Sequence, residues 1–343
     1  MWRLNQVPAR WKTLWMFVAT GLVSCVIACG NSTQPTAVSS SQSQASNAAP
    51  ALQPAAQKSE PAPPADQTGG FDGAKAFDHV AKIVSFGPRP PASEGIHQVQ
   101  AYLIAQLNSY GCQVDLDDFN ASTPSGNVAM KNIVAKANGT GPGIILLMTH
   151  YDSLGSVKDF VGAEDSASST GMMLELARNL CGKKAPNSVW MAFVDGEEAF
   201  VNWDVDNDHT YGSRELAARM AVSGDLKRVK ALILTDMIGQ YGLKIPKESD
   251  STKWLADLVW KTAARLGYKD VFVDREVGRI DDDHQSFLSR GIPSLDIIDL
   301  NDYISAGYWH TPQDSLDKIS PRNVAIVGYV MLESVGELQK KFH

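Results

Sequence analysis

Two glutamates stand side by side in Phe193-Val194-Asp195-Gly196-Glu197-Glu198-Ala199-Phe200-Val201-Asn202-Trp203, directly after an apolar run. Neighbouring side chains of an extended or turning backbone point to opposite sides, so Glu197 and Glu198 cannot both face one ion in the same way. Such a pair divides the labour. One carboxylate coordinates a cation, and its neighbour faces substrate as a general acid/base whose proton affinity is set by that charge and by burial. Two further apolar runs end in the same manner: Ile144 to Met148 leads into Thr149-His150-Tyr151-Asp152, and Ala231 to Leu234 leads into Thr235-Asp236. Asp165 precedes a helical stretch beginning at Ala167, and His310 follows the last apolar run in Tyr308-Trp309-His310-Thr311-Pro312. A histidine among several carboxylates is a ligand mix that zinc accepts.

The elements that must position these residues follow from hydrophobic periodicity. Apolar runs of strand length span Asn132 to Ala137, Ile144 to Met148, Val189 to Val194, Ala231 to Leu234 and Ser294 to Ile298. Helical spacing marks Ala74 to Val84, Ile96 to Leu107, Ala167 to Leu180, Ser213 to Val222, Thr252 to Leu266 and Asn323 to Leu338. Apolar strands alternating with helices predict an α/β fold, with a mainly parallel sheet covered on both faces. In open sheets of this kind ligands bind beyond the carboxyl ends of the strands, where three successive runs here deliver His, Asp or Glu. Taken singly each piece has a plain structural reading. Asp165-Ser166 reads equally as a helix N-cap, Asp195-Gly196 as a turn, His310-Thr311-Pro312 as a surface loop, and Asp281-Asp282-Asp283 as a solvated acidic run. Their coincidence at strand ends carries the specificity.

The chain has 343 residues, 44% hydrophobic and 20% charged, with a formal net charge of −7. That composition is globular, and without a Lys/Arg cluster it argues against a nucleic-acid surface; small or peptidic partners fit better. Arg3, Arg10 and Lys12 precede an apolar run from about Leu14 to Ala28 that closes in Val26-Ile27-Ala28-Cys29-Gly30, the pattern of a secretory signal. The Val-Ile-Ala-Cys stretch resembles a bacterial lipobox, with Cys29 as the lipidated residue and Cys25 as a second candidate; a plain signal peptide or single anchor is the alternative. Residues 1–29 are therefore expected to direct export to the cell envelope, and Ser/Gln/Ala/Pro-rich residues 30–68 to form a disordered tether. Residues 69–343 are expected to form the catalytic domain. Beyond the signal only Cys112 and Cys181 remain, and the sequence leaves their pairing open.

His150-Tyr151-Asp152-Ser153, Val161 through Ala167 followed by Met172 to Arg178, Asp195 through Phe200 with Trp203, Tyr211-Gly212-Ser213-Arg214, Asp282-Asp283-His284 with Phe287-Leu288, and Trp309-His310-Thr311 together resemble the glutaminyl-peptide cyclotransferases. The wider superfamily contains the two-zinc aminopeptidases. The resemblance implies a three-layer zinc-exopeptidase-like sandwich around a mixed, mostly parallel sheet, and one zinc held by Asp165, Glu198 and His310. It implies Glu197 as the proton-transfer residue, Asp236 and Asp282 as further active-site acids, and Trp203 and Trp309 as walls of the substrate pocket. The implied substrates are peptides or proteins with an N-terminal glutamine, cyclised to pyroglutamate with release of ammonia. Relative to the animal members, the stretch between His150 and Asp165 is shorter, residues 299–308 differ, and a cysteine pair near this region is not reproduced. Two other readings stay open. His150 and Asp236, with a bridging Asp165, would complete a second metal site for an aminopeptidase; a catalytically dead peptide-binding lipoprotein is the third reading.

Overall fold

The computed structural model describes residues 61–205 and 207–343. The expected export signal, Cys25, Cys29 and residues 30–60 of the expected tether lie outside the described residues. Within the remainder of that tether, Ala65–Gln67 form a 3-10 turn, and the fully buried Thr68 donates to the carbonyl of Phe71 at 2.6 Å. The packing thus begins a few residues ahead of Gly70.

The main sheet has six strands: β1 (Gln113–Thr123), β2 (Gly126–Ala137), β3 (Ile144–His150), β4 (Ser188–Val194), β5 (Val229–Asp236) and β8 (Ser294–Ile298). They lie in the order β1-β2-β4-β3-β5-β8. β4, β3, β5 and β8 run parallel, and the β1–β2 hairpin adds an antiparallel edge. A parallel pair, β6 (Ile245–Glu248) and β7 (Phe272–Val277), stands apart. The helices are α1 (Gly73–Val84), α2 (Glu94–Ser109), α3 (Ser169–Leu180), α4 (Tyr211–Ser223), α5 (Lys253–Arg265), α6 (Gln285–Leu288), α7 (Leu300–Ser305) and α8 (Pro321–Lys341).

Strand alternation sorts the core into two layers. Ile145, Leu147, Met191, Phe193, Ala231, Ile233, Leu295 and Ile297 pack with α1, α2, α3, α5 and α8 on one face. Ile144, Leu146, Met148, Trp190, Ala192, Leu232 and Leu234 pack with Leu216, Ala217 and Met220 of α4 and Phe287 of α6 on the other. Burial on both faces is why these strands read as unbroken apolar runs; each buried Leu, Ile or Met side chain contributes about 1.5–3 kcal/mol. Phe71 lies so close to α8 that a Cβ on Gly328 would meet its ring at 2.1 Å. Cys112, at the start of β1, is disulfide-bonded to Cys181 at the end of α3.

Register brings the chemistry to one edge. His150 of β3 pairs with Val194 of β4, immediately before Asp195. Met148 pairs with Leu234 of β5, two residues before Asp236. The chain leaves β3 for β4 on one side and returns past β3 to β5, so the strand order reverses at the edge where His150 stands.

Candidate active site

Beyond that edge lies a cavity of about 470 Å³, lined by Asp165, Glu197, Glu198, Trp203, Asp236, Asp282, Trp309 and His310 among others. Two trios of potential ligands meet in it, Asp165–Glu198–His310 and His150–Asp165–Asp236, with the ligand atoms of each trio within 4.8 Å of one another. His310 Nε2 lies 3.4 Å from both Asp165 Oδ2 and Glu198 Oε2. On the other side of the same carboxylate, His150 Nε2 lies 3.0 Å from Asp165 Oδ1 and 3.2 Å from Asp236 Oδ1. A tetrahedral ion with bonds of about 2.0–2.1 Å sets neighbouring ligand atoms about 3.3 Å apart, close to the spacing found. Both oxygens of Glu198 are buried and unpartnered by hydrogen bonds, a costly condition for a carboxylate unless a cation is bound. The first trio therefore fits a metal on the chemistry of its donors. His310 is held with φ at +51°, a left-handed conformation costing a non-glycine residue about 1–2 kcal/mol, and its ring meets the edge of Phe160.

Glu197 meets a different partner from Glu198: its Oε2 lies 3.8 Å from His150 Nδ1, while Glu198 Oε2 faces His310. Burial pushes its carboxyl well above the ordinary range; His150 opposes that shift, and the carboxylates of Glu198, Asp282 and Asp283 add to it. Glu198 is pushed up to about 7 by burial and by Asp165, against the pull of His310. Asp282 is raised by burial and by Asp296, Asp236 and Asp283. The 281–283 stretch is thus no solvated acidic run. Its side chains divide: Asp281 stays half exposed, Asp282 is 3% exposed and Asp283 is fully buried, because the turn into α6 carries the latter two beneath the cavity.

Residues 132–335 match the model of peptidase family M28. A mouse glutaminyl-peptide cyclotransferase-like protein is 32% identical over 69% of this chain and 68% of its own. The chain belongs to peptidase family M28, in its glutaminyl-peptide cyclotransferase branch. A crystal structure of an Acidobacteriales bacterium glutaminyl cyclase superposes with a TM-score of 0.73 at 32% identity, covering 85% of this chain and 100% of that one. A Zn-dependent exopeptidase from Parabacteroides distasonis gives 0.71 at 28%, covering 77% and 97%.

In this M28 chain every residue singled out from the sequence converges on one site: Asp165, Glu197, Glu198, Asp236, Asp282, Trp203, Trp309 and His310 line the cavity, and His150 stands behind Asp165 and Asp236. Asp165 is no simple N-cap. It lies on an irregular turn, Ala163–Ser168, ahead of α3. A second tier, to which sequence reasoning gave no role, holds the candidate ligands in place. Asp152 accepts the backbone N–H of Glu197 at 3.2 Å and of Glu198 at 3.3 Å, and lies 3.4 Å from His150 Nδ1. Its position two after His150 puts it on the same side of an extended chain, a signal available in His150-Tyr151-Asp152. Arg89, fully buried, donates to the carbonyls of Tyr151 (2.8 Å), Val161 and Gly162 (2.9 Å), tying the end of β3 to the turn that bears Asp165. That turn needs Gly162, at φ +49°, because a Cβ there would meet the carbonyl oxygen of Asp165 at 1.9 Å. Asp314 accepts the N–H groups of Glu164 (2.7 Å) and Asp165 (3.1 Å), and Glu164 in turn accepts those of Gly239 (2.8 Å) and Gln240 (3.0 Å) just after β5.

Proposed function

We propose that the chain is a zinc-dependent glutaminyl-peptide cyclotransferase, with one zinc held by Asp165, Glu198 and His310. The observation that carries this reading is the buried Glu198 carboxylate, without a hydrogen bond, beside Asp165 and His310, with Glu197 placed against His150 instead. A zinc held by these residues would supply a Lewis acid for the side-chain amide oxygen of an N-terminal glutamine. Glu197 is placed to take a proton as the α-amine attacks its own side-chain amide carbon, closing the C–N bond of the lactam. The same carboxyl then gives that proton to the departing ammonia, which breaks the original amide bond. Trp203 and Trp309 wall the cavity on the peptide side, where they hold the folded-back conformer and exclude the water that would deamidate instead. Asp282 and Asp236 line the same cavity, and Asp282 adds to the upward shift of the Glu197 carboxyl.

A second reading has a specific observation in its favour: the His150–Asp165–Asp236 trio is a ready second metal position, as a two-metal aminopeptidase requires. Incubating purified protein with Gln-initiated and Leu-initiated peptides separates the two by mass spectrometry. Loss of ammonia from the first, with about one zinc per chain by elemental analysis, is the expected result; release of the N-terminal residue with two tightly bound zincs would assign the aminopeptidase. We also propose export and lipidation at Cys29, supported by the Val-Ile-Ala-Cys stretch. Cys29→Ser should release the protein from the membrane fraction, and unchanged partitioning of both this variant and Cys25→Ser would reject the anchor.

A further inference from the structure

The segment between β4 and α4, described over residues 199–205 and 207–210, places Trp203 in the wall of the cavity. Its backbone is stapled by Asp208, whose carboxylate accepts the N–H groups of Phe200 (3.3 Å), Val201 (2.8 Å) and Asn202 (3.1 Å) and the hydroxyl of Tyr211 (2.9 Å). Thr210, at φ +50°, returns the chain to Glu197, whose carbonyl accepts its N–H at 2.8 Å. Those bonds fix the main chain and leave the position of the Trp203 indole to its side-chain contacts. The indole lies flat on the ring of His209, with centroids 4.1 Å apart and planes 9° from parallel. His209 is held in turn at both nitrogens: Nδ1 lies 3.2 Å from Thr210 Oγ1, and Nε2 lies 3.7 Å from Asp281 Oδ2. Asp281 lines the cavity from the segment that precedes α6, where Arg279 approaches its other oxygen at 3.9 Å. Burial depresses the His209 pKa, Asp281 opposes, Arg214 adds to the depression and Asp208 opposes, so at neutral pH the contact with Trp203 is one between two uncharged rings.

We propose that His209 is a positioning residue for Trp203, and that the His209–Asp281 contact joins the two rims of the cavity and thereby sets its affinity for the substrate's N-terminal residue. The inference rests on the reading that this cavity receives an N-terminal glutamine. An indole backed by a second ring meets its ligand already placed, and ordering it on binding costs nothing further. His209 touches neither the candidate metal ligands nor Glu197's carboxylate, so its removal acts on binding rather than on proton transfer.

Steady-state kinetics on a Gln-initiated peptide, with zinc content measured alongside, test this in Trp203→Ala, His209→Ala, His209→Phe and Asp281→Asn. His209→Ala should raise KM about 3- to 10-fold, the effect expected of losing a stacked ring pair, with kcat and zinc unchanged. His209→Phe should restore KM towards wild type by restoring the stack, a rescue that general loop destabilisation would not produce. Asp281→Asn should give a smaller rise, since the ring stack survives it. The inference is overturned if His209→Ala leaves KM unchanged while Trp203→Ala raises it, or if the loss appears in kcat. If wild type releases no ammonia, the cyclotransferase reading fails separately, and the His209→Ala effect is then read as a shift in Kd for the same peptide by calorimetry; an unchanged Kd overturns the inference there too.

Discussion

The floor and the rim of the cavity are built from different materials. On the floor, Arg89, Asp152, Glu164 and Asp314 are buried, and each bonds main-chain groups on a segment distant in sequence. At the rim, Trp203, His209, Asp281 and Arg279 are partly exposed and meet through a ring stack, a 3.7 Å approach of His209 to Asp281 and an ion pair of 3.9 Å between Arg279 and Asp281. Short hydrogen bonds in a dry interior hold atoms to one geometry and are costly to break, whereas exposed pairs contribute little and yield. Such a floor suits ligands that must stay fixed, and such a rim suits peptides of varied sequence.

Substitutions that tell the two regions apart range widely in effect. The largest belongs to the adjacent glutamates. Glu197→Gln should lower turnover by about 10²–10⁴-fold while zinc content stays near wild type, and Glu198→Gln should lose metal and recover activity in part with added zinc. Assaying both for zinc and ammonia release checks the division of labour; loss of zinc from Glu197→Gln would overturn it. Next, Arg89→Met strips the donor from three buried carbonyls at once and should cost about 3–5 kcal/mol in urea unfolding, with weaker metal retention. A loss under about 1 kcal/mol would mean the floor is not rigid in the sense argued.

Smaller effects come from charge. Asp283 is fully buried, and burial pushes its carboxyl up to about 7 against the pull of Ser213 and His150. Its neutral form suits the fold, so its stabilising contribution is present below its unfolded value near 4 and is lost as pH rises through about 7. Asp283→Asn should therefore gain stability over wild type progressively from about pH 4 to pH 7 and level off above that, read by thermal unfolding; a constant difference would remove Asp283 as the cause. The smallest effect is expected at Arg279, whose exposed side chain pairs with Asp250 and Asp281. Arg279→Ala should change stability by under about 1 kcal/mol and leave zinc content alone.

The sequence made the floor's ligands legible and its supports obscure, for one physical reason. Strands buried on both faces leave an apolar signature, and the polar residues that follow each run within a few positions fall at the sheet edge, which is how His150, Glu198 and Asp236 are found. Arg89, Glu164 and Asp314 act on backbone groups 62 or more positions away, and no local pattern announces such a contact. β1 was missed because an edge strand with one wet face reads as Gln-Val-Asp-Leu-Asp-Asp, and β6 and β7 because Ile-Pro-Lys-Glu and Phe-Val-Asp-Arg-Glu-Val break the apolar run with proline and charges. Asp282 and Asp283 show the converse failure: a charge run reads as solvated until tertiary packing buries it. The tryptophans were placed by family resemblance, and nothing in their spacing foretold that His209 would back one of them.

The Cys112–Cys181 bond closes 69 residues of chain, a constraint that the chain-entropy model values at about 4 kcal/mol through the unfolded state. Thiols stay reduced in the cytosol and oxidise outside it, so the compartment of synthesis decides whether that constraint exists. Material of identical sequence prepared from a reducing cytoplasm and from an oxidising periplasm would share the same sheet and site yet differ in shelf life and heat tolerance, and measurements on one do not transfer to the other without a thiol count.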